Sequence, residues 1–147
     1  MDILFSEIDQ TGIIKLNRPK ALNALNLEMA KKFYDKLLEW EENNNISRVI
    51  LYGEGKHFCA GGDVKSLVLA GKKNQLKYDF FKIEYQLNYL ISQFSKEFLS
   101  IWNGVVMGGG VGLSIYGDHR LVTDNSKFAM PEAVSYTHLT LPTTPYV

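Results

Sequence analysis

The chain has 147 residues, of which 46% are hydrophobic and 22% charged, and this is the composition of one globular domain with a core. Its 16 basic and 16 acidic residues cancel, which excludes the strong positive charge of a nucleic-acid-binding surface. No apolar run reaches transmembrane length. Cys59 is the single cysteine, so the chain cannot form an internal disulfide, which suits a reducing compartment. We therefore expect a cytoplasmic protein that has neither a nucleic-acid nor a membrane partner.

Strand-like and helix-like segments alternate along the chain. Turn residues at Asp9–Gly12 predict a hairpin near the start, and Asn26 is a suitable N-cap for the first long helix. The predicted strands are 2–7, 12–16, 47–52, 98–102, 105–107, 119–124 and 127–130, and the predicted helices are 27–42, 65–70, 72–94 and a helix start at 111–116. This repetition of strand, loop and helix indicates an α/β fold.

Three successive glycines at positions 108–110 stand between a short strand and a helix start. That order leaves peptide N–H groups unpaired at the positive end of a helix dipole, and glycine lets another molecule approach the backbone. The pattern is typical of a site for an anion or a developing oxyanion, but a tight turn with close helix packing explains the spacing equally well. Leu113 stands where a GxGxxG motif needs glycine, which favours an oxyanion hole over a phosphate site.

A second glycine loop, KHFCAGGD at Lys56–Asp63, also follows a predicted strand. Ligands of α/β proteins bind at the carboxyl ends of the strands, so we expect the two glycine loops to meet. Asp63 is interpreted as a helix N-cap, and Cys59 as a small buried hydrophobic residue rather than a reactive thiol.

Glu84 is the most informative single residue. It lies at the centre of an apolar helix stripe, where an unpaired carboxylate is costly to bury. The stripe consists of Phe80, Leu87, Ile91 and Phe94. A functional carboxylate facing a wet cleft is therefore favoured over a glutamate at the margin of the stripe.

The other polar residues give weaker signals. Glu132 follows the last predicted strand, where a surface turn is the usual interpretation, but it is the acid at that strand end and could reach the glycine loops. His57, His119 and His138 share no metal-ligand spacing, and Ser114 has no neighbouring base. We therefore expect no metal site and no serine nucleophile.

Four motifs follow one another along the chain: LNRPKALNALN at 16–26, GEGKHFCAGGD at 53–63, NGVVMGGGVGL at 103–113 and FAMPE at 128–132. Together they resemble the crotonase superfamily, also called the enoyl-CoA hydratase/isomerase family. Each motif is weak by itself, but the four in this order are highly specific. The resemblance implies an α/β spiral of ββα units that binds acyl-CoA, truncated in this chain.

The resemblance also implies roles for individual residues. The peptide N–H groups of Gly62 and Gly109 would polarise the thioester carbonyl of the substrate. Glu132 would activate water, or attack the thioester to form a mixed anhydride. The implied substrate-binding residues are Glu84, which would bind the acyl hydroxyl, Ala60 and Leu22.

The resemblance bears on the reaction as well. Hydratases of the family carry a glutamate two residues after the glycine triplet, where this chain has Gly112, so hydration is disfavoured. FFKIEYQLN at 80–88 is similar to hydrolases of the family that act on 3-hydroxyisobutyryl-CoA in valine breakdown, which implies hydrolysis of a short branched 3-hydroxyacyl-CoA thioester. The alternatives are an enoyl-CoA hydratase or isomerase and an inactive CoA-binding fragment. No cofactor is implied beyond the coenzyme A of the substrate, and the full-length parent is expected to be homo-oligomeric.

The segment Val134–Val147 differs from the rest of the chain and has no Asp, Glu, Lys or Arg. Its first part, VSYTHLTLPT at 134–143, looks like the translation of a sequencing adapter, and an ordinary polar loop is the alternative. We expect residues 1–133 to form the N-terminal part of an acyl-CoA-binding domain, and residues 134–147 to be a non-native tail.

Overall fold

A computed structural model of the chain describes residues 1–63 and 73–130. The predicted helix at 65–70, Glu132 and the tail at 134–147 lie outside the described residues. The elements in chain order are β1 (Ile3–Ile8), β2 (Thr11–Leu16), a 3₁₀ turn (Pro19–Ala21), α1 (Leu27–Glu42), β3 (Arg48–Gly53), α2 (Lys73–Gln93), β4 (Glu97–Trp102), β5 (Val105–Met107), α3 (Gly109–Gly112), β6 (His119–Val122) and β7 (Lys127–Ala129). The predicted α/β class is confirmed.

The described strands form two sheets. The larger sheet has the order β1-β2-β3-β4-β6, in which β1 is antiparallel to β2 and the other neighbours are parallel. In the smaller sheet, β5 and β7 are parallel. Because β3 and β4 run in the same direction, the chain leaves both at one edge. The segments that follow them then run side by side, with Cys59 bridged in parallel to Val106.

The hairpin between β1 and β2 is tighter than predicted. Asp9 and Gln10 alone form its turn, with φ values of 47° and 66°, as a two-residue turn with both φ values positive requires. Gly12 is already within β2, where a Cβ atom would lie 2.7 Å from the ring of Trp40. Gly12 is therefore required by the packing of an indole ring and not by the turn.

Helix α1 begins where the sequence predicts. The side-chain oxygen of Asn26 accepts a hydrogen bond of 2.9 Å from the backbone N–H of Met29, which pairs one of the free donors of the first turn. On the buried face of the helix, the ring of Phe33 stacks on Phe98 of β4 with 6.5 Å between centroids. Trp40 is buried, and its indole N–H donates to Glu7 of β1. Helix α1 thus packs against the large sheet.

Helix α2 carries the predicted apolar stripe. Phe80, Leu87 and Ile91 are at most 2% exposed, and Glu84 between them is 8% exposed. The helix packs against α1, with its inner face against the core. The predicted burial of Glu84 within an apolar face is confirmed.

The helix after the glycine triplet differs from the prediction of a helix start at 111–116. Helix α3 begins earlier, at Gly109, and it ends at Gly112. Gly108 has a φ of 51°, so the chain turns directly after β5 and enters the helix within the triplet. A helix of four residues has few aligned peptide dipoles, so the segment supplies positioned N–H groups more than a macrodipole.

Strand β6 forms one edge of the large sheet, and it is poorly covered by the described residues. All four of its residues are exposed, including Leu121 at 54% and Val122 at 61%. Phe128 of β7 is also exposed, although its ring stacks on Trp102 with 5.6 Å between centroids. Apolar side chains therefore accumulate at this side of the fold.

Candidate active site

The two glycine loops meet, as the sequence predicts. The carbonyl oxygen of Cys59 accepts a hydrogen bond of 3.0 Å from the backbone N–H of Met107, and the backbone N–H of Cys59 donates to the carbonyl oxygen of Val105. A Cβ atom on Gly110 would lie 2.5 Å from the carbonyl oxygen of Cys59. The two loops can therefore approach this closely only because position 110 has no side chain.

The amide nitrogens of Gly62 and Gly109 lie on the facing sides of these loops. The nitrogen of Gly62 is 3.2 Å from the point that a Cβ atom on Gly109 would occupy, and the nitrogen of Gly109 is 3.6 Å from the corresponding point on Gly61. Within residues 1–63 and 73–130, no backbone carbonyl accepts a hydrogen bond from either amide. Two N–H donors are thus brought together by the fold without a backbone partner in that part of the chain.

A carboxylate lies beside these donors. The Oε1 atom of Glu84 is 2.7 Å from the Cβ position of Gly109. The ring of Phe80 lies one turn earlier on α2, at 3.0 Å from the Cβ position of Gly62. Helix α2 therefore places an apolar ring and a buried carboxylate over the two amides.

These groups line one cavity with a volume of about 590 Å³. It opens between the two glycine loops and helix α2, and its surface is mostly apolar. The lining residues are Ala60, Gly61, Gly62, Phe80, Phe81, Glu84, Tyr85, Asn88, Met107, Gly108, Gly109, Val111, Gly112, Ile115, Tyr116 and Met130. A cleft of this size with a few polar groups is typical of a site for a small ligand.

The other residues expected at the site are placed differently. Ala60 lines the cavity, whereas Leu22 is not among the lining residues and is 41% exposed. Leu22 instead supports the loop through its carbonyl oxygen, which accepts a hydrogen bond of 3.0 Å from the N–H of Ala60. Glu132 lies outside the described residues, and the preceding Met130 lines the cavity.

Asn23 is a positioning residue that the sequence analysis did not single out. It is fully buried, and its side-chain N–H groups donate to the carbonyl oxygens of Glu54 at 3.0 Å and His57 at 2.7 Å. Its side-chain oxygen accepts a hydrogen bond of 2.8 Å from the backbone N–H of Arg18. One side chain thereby fastens the loop before α1 to the loop that carries Gly62.

Asp63 contributes to the same support. The helix that it was expected to cap lies outside the described residues, but its carboxylate is 2.9 Å from the guanidinium of Arg18. Arg18 also donates to the carbonyl oxygen of Ala24. Arg18 and Asn23 of this network both lie in the LNRPKALNALN motif, so the motif marks the region. The spacing of its polar residues has no periodicity that predicts which distant groups they contact.

Cys59 and Ser114 both have structural roles beside the site. Cys59 is fully buried, and burial raises the pKa of its thiol to about 12, so it remains protonated at neutral pH. The hydroxyl of Ser114 accepts from the indole N–H of Trp102 and donates to the carbonyl oxygen of Gly110, each at 2.8 Å. Both residues pack behind the glycine triplet and support its shape.

Among the described residues there is no group of three or more His, Cys, Asp or Glu side chains that could hold a metal ion. No helix in that part of the chain is long and apolar enough to cross a membrane.

Named relatives match most of this chain. A protein from Danio rerio named "3-hydroxyisobutyryl-CoA hydrolase, mitochondrial" is 46% identical over 133 residues, covering 89% of this chain and 35% of that protein. A protein of the same name from Xenopus tropicalis is 47% identical over 133 residues, covering 89% of this chain and 34% of that protein. The chain thus spans about a third of the length of these curated relatives.

The cytoplasmic location expected from the sequence is wrong. Both relatives carry the word mitochondrial in their names. The expectation rested on the lack of an apolar run of transmembrane length and on a single cysteine, but mitochondrial targeting segments are amphipathic rather than apolar and need no cysteine. Those signals therefore could not distinguish the two compartments.

The fold is shared with solved structures, and the family is shown by the match along the chain. The crystal structure of a carnitinyl-CoA dehydratase from Mycobacterium thermoresistibile superposes with a TM-score of 0.85 at 40% identity, covering 89% of this chain and 39% of that chain. A family model described as enoyl-CoA hydratase/isomerase matches residues 11–135. The chain therefore belongs to the enoyl-CoA hydratase/isomerase family, the crotonase superfamily that its four motifs resemble.

Proposed function

We propose that this chain is part of a hydrolase that cleaves a short branched 3-hydroxyacyl-CoA thioester, with 3-hydroxyisobutyryl-CoA as the substrate. The observation that carries the proposal is the approach of the Gly62 and Gly109 amides to one another beside the Glu84 carboxylate. The names of the Danio rerio and Xenopus tropicalis relatives support the choice of substrate.

In the proposed reaction, the two amides donate hydrogen bonds to the thioester carbonyl oxygen. The oxygen of a water molecule adds to the carbonyl carbon, and negative charge collects on the carbonyl oxygen between the two donors. The carbon–sulfur bond then breaks, the sulfur takes up a proton, and the free acid and coenzyme A leave. Preorganised donors stabilise this charge, and the loss of one typically costs about 3–4 kcal/mol of activation free energy.

Glu132 is proposed to act on the reacting carbon, either by taking the proton from water or by attacking the thioester to form a mixed anhydride. Its position two residues after the cavity-lining Met130 supports this role. The Glu132→Gln variant is expected to bind substrate and to lose turnover. Unchanged turnover would remove Glu132 from the mechanism.

The remaining site residues are proposed to bind the acyl group. Glu84 accepts a hydrogen bond from the acyl hydroxyl, and Ala60 contributes to the wall of the cavity. Leu22 is proposed to contribute indirectly by positioning the loop that carries Ala60, because its carbonyl oxygen accepts a hydrogen bond from the backbone N–H of Ala60. We propose that no metal or further cofactor takes part, that coenzyme A enters only as part of the substrate, and that the full-length protein is a homo-oligomer.

The experiment that tests the hydrolase proposal is release of free thiol from 3-hydroxyisobutyryl-CoA by the full-length protein that contains this chain. Thiol release that depends on Glu132 supports the proposal. If no coenzyme A is released from this thioester, the hydrolase assignment is wrong.

The second candidate is an enoyl-CoA hydratase or isomerase. The 40% identity to a protein named a carnitinyl-CoA dehydratase favours it. Gly112, which supplies no carboxylate to the cavity, argues against a reaction that needs two acids there. Hydration or double-bond migration on an enoyl-CoA distinguishes these reactions from hydrolysis, and an inactive CoA-binding protein would show neither.

The extent of the native domain is a separate proposal. We propose that residues 1–133 are the N-terminal part of the acyl-CoA-binding domain and that residues 134–147 are not native, because VSYTHLTLPT looks like an adapter translation. Reading the genomic DNA across codon 134 tests this proposal. An uninterrupted frame through Val147 would overturn it.

A further inference from the structure

Asn88 lies in the same cavity as Glu84, one helical turn further along α2. Its side chain lies directly against Gly112, since a Cβ atom at that position would be 2.7 Å from Nδ2 and 3.3 Å from Oδ1 of Asn88. Helices α2 and α3 thus form two contacts: Glu84 with Gly109, and Asn88 with Gly112. The absence of a side chain at Gly112 leaves the space that the Asn88 amide fills.

The amide of Asn88 makes no hydrogen bond within the described part of the chain. Its Oδ1 atom is shielded from solvent and has no partner in residues 1–63 and 73–130, and no residue there accepts a hydrogen bond from Nδ2. A shielded polar atom without a partner costs stability, so an asparagine there is poorly explained by packing alone. Ser100 Oγ is the other such atom of the described residues, and Ser100 does not line the cavity.

The two polar side chains of α2 are complementary to a hydroxyl group. A hydroxyl has one hydrogen to donate and lone pairs that accept, so it is fully satisfied by one acceptor and one donor. Glu84 supplies a carboxylate acceptor, and Asn88 supplies the N–H groups of Nδ2. Residues four apart on a helix have Cβ atoms roughly 5–6 Å apart, which allows both side chains to reach one small group between them.

The order of the groups along the cavity matches that of a 3-hydroxyacyl thioester. The amides of Gly62 and Gly109, where the carbonyl oxygen is proposed to bind, lie at the Glu84 end. Asn88 and Gly112 lie one turn beyond along the same cavity wall, and in the proposed binding mode the acyl chain extends from the carbonyl towards them. A hydroxyl on the third carbon is therefore within reach of the Asn88 amide.

We infer that Asn88 is a specificity-determining residue, whose Nδ2 donates a hydrogen bond to the hydroxyl oxygen of a 3-hydroxyacyl group in this cavity. The inference rests on the proposed function for the placement of the thioester, but it does not depend on which reaction follows binding. Gly112 contributes to the same specificity, because a methyl group at position 112 would displace the Asn88 side-chain amide.

The test is a binding measurement on the full-length protein with two non-hydrolysable thioether analogues, one of 3-hydroxyisobutyryl-CoA and one of isobutyryl-CoA. The measured quantity is the ratio of the two dissociation constants. In Asn88→Leu, which keeps the size of the side chain and removes its hydrogen bonds, the preference for the hydroxylated ligand falls about tenfold. Asn88→Asp, which keeps an acceptor and removes the donor, shows the same loss.

Two further variants complete the test. Gly112→Ala is expected to lower the preference as Asn88→Leu does, since its methyl group would lie 2.7 Å from Nδ2. Gln86→Leu is the matched control, because it removes an amide from the exposed face of the same helix and should leave the ratio unchanged. A merely structural role of Asn88 would weaken both ligands equally and leave the ratio intact.

The outcomes separate this inference from the proposed function. A wild-type ratio near one, or a ratio unchanged by Asn88→Leu, overturns the inference even if the protein hydrolyses the thioester. Retention of the preference by Asn88→Asp overturns the donor role of Nδ2. The third outcome is that Asn88→Leu loses the preference while the wild-type protein releases no thiol from 3-hydroxyisobutyryl-CoA. That outcome supports the inference and rejects the hydrolase assignment.

Discussion

The amide nitrogen of Gly62 lies 3.2 Å from the point that a Cβ atom on Gly109 would occupy, although the two residues come from separate loops. We therefore expect Gly109→Ala to place a methyl group where the substrate oxygen should bind. The kcat/KM for thioester hydrolysis should fall about 100- to 1,000-fold, which is the typical effect of losing one oxyanion donor. Steady-state kinetics of the full-length variant measure this loss.

The melting temperature is the control for Gly109→Ala. The same methyl group would lie 2.7 Å from Glu84 Oε1, at the end of a flexible side chain that can move away, so the fold should be kept. Near-wild-type turnover in a folded variant would contradict a role for this amide in catalysis.

Glu84→Gln keeps the shape of the buried side chain and removes its charge. A hydrogen bond to a charged acceptor is worth more than one to a neutral acceptor, so the kcat/KM for a 3-hydroxyacyl-CoA should fall about tenfold or more. Asp79→Asn is the matched control, because Asp79 lies on the same helix, pairs with Gln75 and does not line the cavity. Equal effects of the two variants would argue against a specific role for Glu84.

Asn23→Ala should destabilise the fold. It removes three hydrogen bonds and leaves the carbonyl oxygens of Glu54 and His57 without their side-chain donor. The free energy of unfolding should fall by about 3 kcal/mol, as measured by urea denaturation. Asn44→Ala, at an exposed position after α1, is the control and should change little.

Cys59 should make stability depend on pH in the alkaline range. Burial raises the pKa of its thiol from 9.0 to about 12, so the unfolded chain loses this proton at a lower pH than the folded chain. The stabilising contribution is fully present below pH 9.0, and it is lost as the pH rises towards 12. Between pH 8 and 10.5 the loss should be about 2 kcal/mol.

Urea denaturation at these two pH values compares wild type with Cys59→Ala. The variant should lack the part of the alkaline loss that comes from the thiol. Alkylation gives a second readout, since the native thiol should react with iodoacetamide only after unfolding. Rapid alkylation of the native protein at pH 8 would contradict the burial of Cys59.

Several features were predictable because they depend on residues close in sequence. The Asn26 cap is a local hydrogen bond, and the buried position of Glu84 follows from helical spacing alone. The meeting of the two glycine loops followed from a general rule about strand ends. These predictions needed no knowledge of which distant side chains lie opposite.

Other features depend on contacts between distant parts of the chain. Gly12 was interpreted as a turn residue, but the ring of Trp40 determines it. The start of α3 within the glycine triplet depends on the turn at Gly108, and the contact between Asn88 and Gly112 depends on how α2 crosses α3. Sequence spacing contains no signal for such pairs.

The exposed strand β6 has a consequence for handling the protein. In the part of the chain that the structure describes, β6 is a sheet edge with unpaired backbone groups and exposed Leu121 and Val122 side chains, and such an edge is a template for strand addition by another molecule. Residues 1–133 produced in isolation should therefore form concentration-dependent aggregates through this edge. A lysine at position 121 or 122 would make the isolated segment easier to keep in solution.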